Sequence, residues 1–191
     1  LHMICAEVSN QILGARIDKV YQPSRNEVVL TMRSNGKNLK LLLSADASHP
    51  RMHFTESELD NPASPPMFCM LLRKYFIGGK IISVDQPGFD RIARFTVTHY
   101  DEMGDLKEKK IICEIMGKYA NLIVTDEEEK VLTAMKIIDF AASTVRQVLP
   151  GLKYQIPECR ERIIPTEVTR EQLEAAIAAA SPERSGEKLI T

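Results

Sequence analysis

The sequence predicts an α+β fold in which antiparallel sheets carry packed helices. Three observations lead there. Apolar residues recur with a helical period in a few separate segments and with a period of two in many short runs. Those runs are joined by turn residues such as Asn35-Gly36 and Met103-Gly104-Asp105, which make hairpins rather than the long crossovers that parallel strands need. A composition of 44% hydrophobic and 27% charged residues over 191 positions is that of a globular chain with a sizeable core.

Ile4, Val8 and Ile12 stand at i, i+4 and i+8, and Gly14 follows, so residues 1–13 read as an amphipathic helix. It opens abruptly at Leu1 without a cap, and a native start is expected to precede it. The period then changes to two. Strand-rich runs cover Ile17 to Tyr21, Val28 to Met32 and Leu39 to Ala45, predicting three or four antiparallel strands before Phe54. Asn61-Pro62-Ala63-Ser64-Pro65-Pro66 interrupts the pattern. Ser64 is placed to cap, and Pro65 to occupy the first turn of, a helix that runs to Phe76 and stops at Gly78-Gly79. Apart from Arg73 and Lys74 that helix is apolar nearly all round, which predicts packing on most of its sides.

Strands are expected again at Lys80 to Val84, Ile92 to Tyr100, Lys110 to Met116, Ala120 to Thr125 and Val131 to Ile138. Past Leu149-Pro150-Gly151 the chain reads as a connecting segment with Pro157 and Pro165. Thr169-x-x-Gln172 is a capping box ahead of Leu173, Ala176, Ile177 and Ala180, and Ser181-Pro182 ends that helix. The expected organisation is one domain over 1–165 and the beginning of a second over 166–191.

Charge and cysteines narrow the function. Twenty-five basic against 26 acidic residues give a net charge of −1, so any nucleic-acid contact has to be local. Cys5, Cys69, Cys113 and Cys159 contain no Cys-x-x-Cys pair, which leaves buried thiols as the default. No apolar run reaches the ~18 residues of a membrane span and no signal peptide is recognisable; a cytoplasmic protein without membrane contact is expected. There is no P-loop, Gly-x-Gly-x-x-Gly, Gly-x-Ser-x-Gly or His-Glu-x-x-His, which argues against an enzyme and against a cofactor. His49 and His53 would share a helix face suited to a metal, but Pro50 and the strand-like surroundings favour an ordinary loop pair, and no metal is expected.

Two turns carry possible chemistry. Gln86-Pro87-Gly88-Phe89-Asp90-Arg91 opens a strand in which parity groups Asp90 with Arg94 and starts Arg91 on the apolar face. A guanidinium there needs the sheet's rim or a partner. One interpretation is a turn with a local ion pair; the other is a recognition site at the sheet edge, a planar fork donating to phosphate or a base edge. In the second turn, Met116-Gly117-Lys118-Tyr119-Ala120-Asn121, a cation, a ring and an amide stand within four positions, enough to stack a base and hold a phosphate. The same residues also suit a plain hairpin turn with Tyr119 half buried and Asn121 bonding the backbone. From Arg73 to Arg94, five basic residues (Arg73, Lys74, Lys80, Arg91, Arg94) face two acids (Asp85, Asp90), an excess that matters only if the fold gathers it on one face.

Taken together, Ile4 to Tyr21 with Gln22-Pro23, the block Pro66 to Tyr75, Gln86 to Ile92, Glu114 to Val124, and Val145 to Gly151 with Tyr154 resemble the amino-terminal domain of the NFACT family over roughly residues 1 to 160. These are the RqcH or fibronectin-binding protein A-like factors of ribosome quality control. The resemblance implies a non-enzymatic protein that binds the obstructed large ribosomal subunit with its peptidyl-tRNA and recruits alanyl-tRNA for untemplated alanine tailing of the stalled chain. The family's Asp-Arg motif falls on Asp90 and Arg91, and its Met-Gly-Lys/Arg block on Met116, Gly117 and Lys118, with Asn121 beyond; Arg94 joins them as a candidate tRNA contact. The family's opening Asp-Gly has no counterpart here. The resemblance further implies a layout like the amino-terminal domain of formamidopyrimidine-DNA glycosylases, and a helix-hairpin-helix domain beginning at residue 166. Two alternatives accompany it: an extracellular-matrix adhesin, and a glycosylase-like nucleic-acid binder. No amino-terminal proline nucleophile stands at Leu1-His2-Met3, so no DNA partner is expected.

Overall fold

The sheet is built from two runs of hairpins, each of which pairs its strands in chain order. The computed structural model describes residues 1–101, 103–157 and 167–179. They fall into two units, Leu1–Ile156 and Pro157–Thr191. In the first unit, helix α1 (His2–Ile12) precedes β1 (Arg16–Ser24), β2 (Glu27–Ser34), β3 (Lys37–Ser44) and β4 (Arg51–Phe54); helix α2 (Met67–Phe76) is followed by β5 (Lys80–Asp85), β6 (Ile92–Tyr100), β7 (Leu106–Glu114), β8 (Asn121–Asp126) and β9 (Val131–Ala134). The α+β class and the antiparallel pairing agree with expectation, but the strands make one nine-stranded sheet, ordered β4-β3-β2-β1-β5-β6-β7-β8-β9.

The two halves of that sheet meet through a single residue pair, Arg16 opposite Lys80. Around this narrow seam both halves turn their apolar faces toward each other. Val28, Leu30, Met32, Leu41 and Leu43 from one half share a core with Phe95, Val97, Ile111, Cys113 and Val124 from the other. The helices fill the fold between them, α1 through Cys5, Val8 and Ile12 and α2 through Phe68, Cys69, Leu72 and Phe76. Gly79 stands at the seam, where an added Cβ would lie 2.7 Å from Val97 Cγ1 and 3.1 Å from two backbone oxygens. The Asn35-Gly36 turn is formed as expected, with φ of 48° and 77° at its two residues.

A second, smaller apolar layer lies on the opposite face of β6–β9. Ile92, Ile112, Ile123, Val131, Ala134, Val148 and Tyr154 form it. It is covered by residues 136–156, a segment folded on itself by paired bonds between Ile138 and Val148 (3.1 and 2.8 Å) and tied to β9 by the bond from Val131 N–H to the Leu152 carbonyl (2.8 Å).

Several expectations need correction. The buried stripe of α1 is Cys5, Val8 and Ile12, while Ile4 is 40% exposed. α2 is buried on one stripe only; Met67 and Met70 are exposed and Leu71 is half-buried. Ser64 makes no cap, and Pro66 occupies the N-cap position. The tandem prolines account for this, because a residue preceding proline is driven out of helical geometry, which keeps Ser64 and Pro65 out of the helix. β1 continues through Pro23 because the register shift between Tyr21 and Ser24 absorbs a residue that donates no hydrogen bond. β9 stops at Ala134, and the connection between β7 and β8 is a 3-10 turn over Gly117–Tyr119.

In the second unit the capping box forms as expected. Gln172 N–H donates to Thr169 Oγ1 (3.3 Å) and Thr169 N–H to Gln172 Oε1 (3.0 Å), opening helix α3 (Arg170–Ala179). Pro165, Ala180 and Ser181-Pro182 lie outside the described residues, as does Cys159.

Candidate functional site

Strand register brings the two sequence-selected turns to the same end of the sheet. Ile92, the first residue of β6, pairs with Glu114 at the end of β7, and Glu114 pairs with Asn121 at the start of β8. The turn before β6 and the turn after β7 are therefore neighbours. A backbone bond joins them directly, from Ile115 N–H to the Arg91 carbonyl at 2.7 Å.

The first turn is braced from within. Gln86 Nε2 donates to the Asp90 carbonyl at 2.5 Å, and Asp90 N–H donates to the Pro87 carbonyl at 3.3 Å. Phe89 stacks on His2 at the start of α1, ring centroids 5.2 Å apart and planes at 22°. β6 begins one residue after Arg91, which consequently stays outside the apolar face and is exposed. Of the two placements parity allowed for this guanidinium, the rim is the one adopted. In the second turn Lys118 and Tyr119 are both exposed, with Lys118 Nζ 5.0 Å from the ring centroid.

The other two candidates are held inside the scaffold. The Arg94 guanidinium meets Asp85 at 2.9 Å and Glu129 at 3.5 Å. Asn121 is 1% exposed, and its amide bonds both backbone groups of Lys136, donating to the carbonyl at 2.8 Å and accepting from the N–H at 2.9 Å. Lys136 in turn donates from Nζ to the carbonyls of Ala45 (2.6 Å) and Ala120 (2.9 Å), so it ties the residue that follows β3 to the second turn across the two sheet halves. Partial burial pulls its ammonium below the ordinary lysine range. The excess of basic residues between Arg73 and Arg94 is dispersed: Arg73 reaches the Val20 carbonyl (2.9 Å), while Arg94 is engaged by carboxylates. His53 lies in β4 and His49 in the turn before it, so the shared helix face that a metal pair would need is not formed.

Sequence reasoning missed the group beneath both turns. Glu114 has no exposed side-chain surface and receives both Arg146 terminal nitrogens, Nη2 to Oε1 at 2.5 Å and Nη1 to Oε2 at 3.2 Å. Tyr154 Oη donates to the same Oε1 at 2.8 Å, and Arg146 Nε donates to the Gln155 carbonyl at 2.7 Å. Burial and the neighbouring Glu114 carboxylate raise the Tyr154 phenol far above its usual range, so it remains a donor. This clamp fixes the covering segment to the sheet end that carries Arg91 and Lys118. Its one sequence signal was a lone carboxylate in the apolar run Ile111-Ile112-Cys113-Glu114-Ile115-Met116; the partners lie 32 and 40 positions away.

A curled antiparallel sheet enclosing two helices and presenting paired turns at one end defines an α+β scaffold of a recurring kind. The chain belongs to the NFACT family: the family described as "NFACT N-terminal and middle domains" matches residues 1–191. It is 41% identical over 168 residues to the Rqc2 homolog RqcH of Bacillus subtilis (strain 168), covering 87% of this chain and 30% of the relative. It is 27% identical over 180 residues to the ribosome quality control complex subunit NEMF of Mus musculus, covering 94% of this chain and 16% of that protein. Among solved structures, the amino-terminal part of the fibronectin/fibrinogen-binding protein of Streptococcus suis superimposes with a TM-score of 0.88 at 38% identity, covering 94% of this chain and 68% of the other. The amino-terminal domain of fibronectin-binding protein PavA from Streptococcus pneumoniae gives 0.87 at 35% identity, with the same coverage. The chain thus spans about a third of the length of the RqcH relatives, 30% and 32% of the first two.

Proposed function

We propose that this chain is the tRNA-contacting part of a ribosome quality control factor. In this role the protein binds an obstructed large ribosomal subunit carrying peptidyl-tRNA, recruits alanyl-tRNA, and so promotes untemplated alanine tailing of the stalled chain in the cytoplasm. Peptide bonds are made by the ribosome, and the protein itself is no enzyme. The observation that supports this most is the joining of Arg91 and Lys118 on one rim by the Ile115–Arg91 backbone bond, since these residues belong to the two family motifs. Arg91 donates to RNA phosphate or a base edge, Asp90 orients it or accepts from a base, and Lys118 with Tyr119 holds the adjoining backbone. Arg94 and Asn121 support the rim from inside the scaffold.

Relatives named for ribosome quality control favour this role over adhesion; the matrix-protein names of the streptococcal structures are the support for the alternative. The glycosylase-like layout belongs to the same proposal, as a nucleic-acid scaffold without glycosylase chemistry. Sequencing RNA that copurifies with the full-length protein tests it. Large-subunit rRNA with one dominant tRNA is expected; absence of both would overturn the role.

A further inference from the structure

The outer face of β1–β3 carries cations that form no ion pair among the described residues. Residues 16–44 hold six basic side chains (Arg16, Lys19, Arg25, Arg33, Lys37, Lys40) and two acids (Asp18, Glu27), a local excess of four in a chain of net charge −1. Strand pairing sets Arg16 beside Arg33, Lys19 beside Thr31 and Thr31 beside Lys40, with Tyr21 beside Val29 in the next row. Among the described residues, Arg16, Lys19, Arg33, Lys40 and Arg73 form no ion pair, whereas Arg94, Lys110 and Arg146 are each tied to a carboxylate. Like charges brought together on one sheet face without compensation destabilise it, so this arrangement is better suited to an external anion than to folding.

The face is also shaped. After β4 the chain returns across it, with Thr55 N–H bonding the Lys40 carbonyl (2.9 Å) and Lys40 Nζ reaching the Ser57 carbonyl (3.4 Å). Between that segment and β1 runs an open groove of about 390 Å³, with Lys19, Tyr21 and Lys40 on one side and Glu58 and Asp60 on the other. Arg73 donates to the Val20 carbonyl and lies 5.9 Å from the Tyr21 ring centroid, adding a cation beside the ring.

We infer that this groove binds an unpaired stretch of RNA, with a base against Tyr21 and the backbone phosphates along Lys19 and Lys40, Arg33 lying further along the same sheet face. The ring offers a stacking surface that every base can use, and the lysines offer point charges to phosphate. Glu58 and Asp60 keep phosphates off the opposite wall and present acceptors to ribose hydroxyls and exocyclic amines. An acidic peptide would meet the same carboxylates as repulsion and has no flat group for the ring. The site uses none of the rim residues Asp90, Arg91 and Lys118, so it stands or falls apart from the tRNA contact proposed above.

The test is fluorescence anisotropy of the 191-residue chain with a labelled oligouridylate, across a sodium chloride series. Lys19→Gln/Lys40→Gln should weaken binding about tenfold or more and reduce the salt slope by about 1.4, the value for two phosphate contacts on a single strand. Tyr21→Leu should weaken it roughly 5- to 150-fold with little change in slope. Photocrosslinking of a 4-thiouridine oligomer to the unmutated chain should map to Tyr21 and its neighbours, a result that does not depend on variants folding. No binding by the unmutated chain, unchanged binding by the folded lysine variant, or crosslinks confined to residues outside the groove would overturn the inference.

Discussion

Burying a carboxylate without partners is among the costlier things a core can do, and Glu114 is met by three donors from the covering segment. Removing the guanidinium leaves that carboxylate buried against a single phenol. Arg146→Met should therefore cost about 3–5 kcal/mol in reversible denaturation. The double variant Glu114→Gln/Arg146→Met should lose clearly less than the sum of the singles, because the second substitution removes the orphaned charge. Additive losses would show that the pair is not the clamp described. The thiols make a second residue-scale prediction. Burial raises the pKa of Cys5, Cys69 and Cys113 above the ordinary thiol value, so the reactive thiolate is depleted in the native state at any pH where a free cysteine begins to ionise. In a Cys159→Ser background, iodoacetamide at about pH 8.5 should label none of the three until the protein is unfolded. Rapid native labelling of any one would contradict its placement in the core.

At the scale of elements, α2 shows how far periodicity reaches. Its existence, its span to Phe76 and its stop at Gly78-Gly79 were legible, because proline, glycine and helical apolar spacing act locally. Which side it buries was not. Met67 and Met70 look like core in the sequence, yet only Phe68, Cys69, Leu72 and Phe76 turn inward, since a single sheet curls around one face of the helix. Leu72→Ala should cost about 2–5 kcal/mol through lost burial and the cavity left behind, and Leu71→Ala clearly less. Equal losses from thermal or urea denaturation would mean that both flanks are packed. Strand positions were legible through alternation, though not their bounds: β7 starts at Leu106 and ends at Glu114 where Lys110 to Met116 was expected, and β9 stops short at Ala134. The merging of all strands into one sheet was not, because the Arg16–Lys80 seam is a single pair between distant segments.

At the scale of the whole molecule, the sequence marks both turns of the rim, but not that they touch. Arg91 and Lys118 stand 27 positions apart (118 − 91), and the order β5-β6-β7-β8 brings their turns together. Arg94 and Asn121 were selected by chemistry that the fold directs inward, toward Asp85 and Glu129 in one case and Lys136 in the other. The central claim is that the exposed rim contacts tRNA and contributes little to folding. Its most direct test is alanine tailing of stalled nascent chains by the full-length protein carrying Asp90→Ala/Arg91→Ala, read beside its melting temperature. The account predicts a melting temperature within a few degrees of the unmutated protein, tailing abolished, tRNA depleted from purified complexes and large-subunit association retained. Full tailing by the folded variant, or unfolding of the variant at growth temperature, would contradict it.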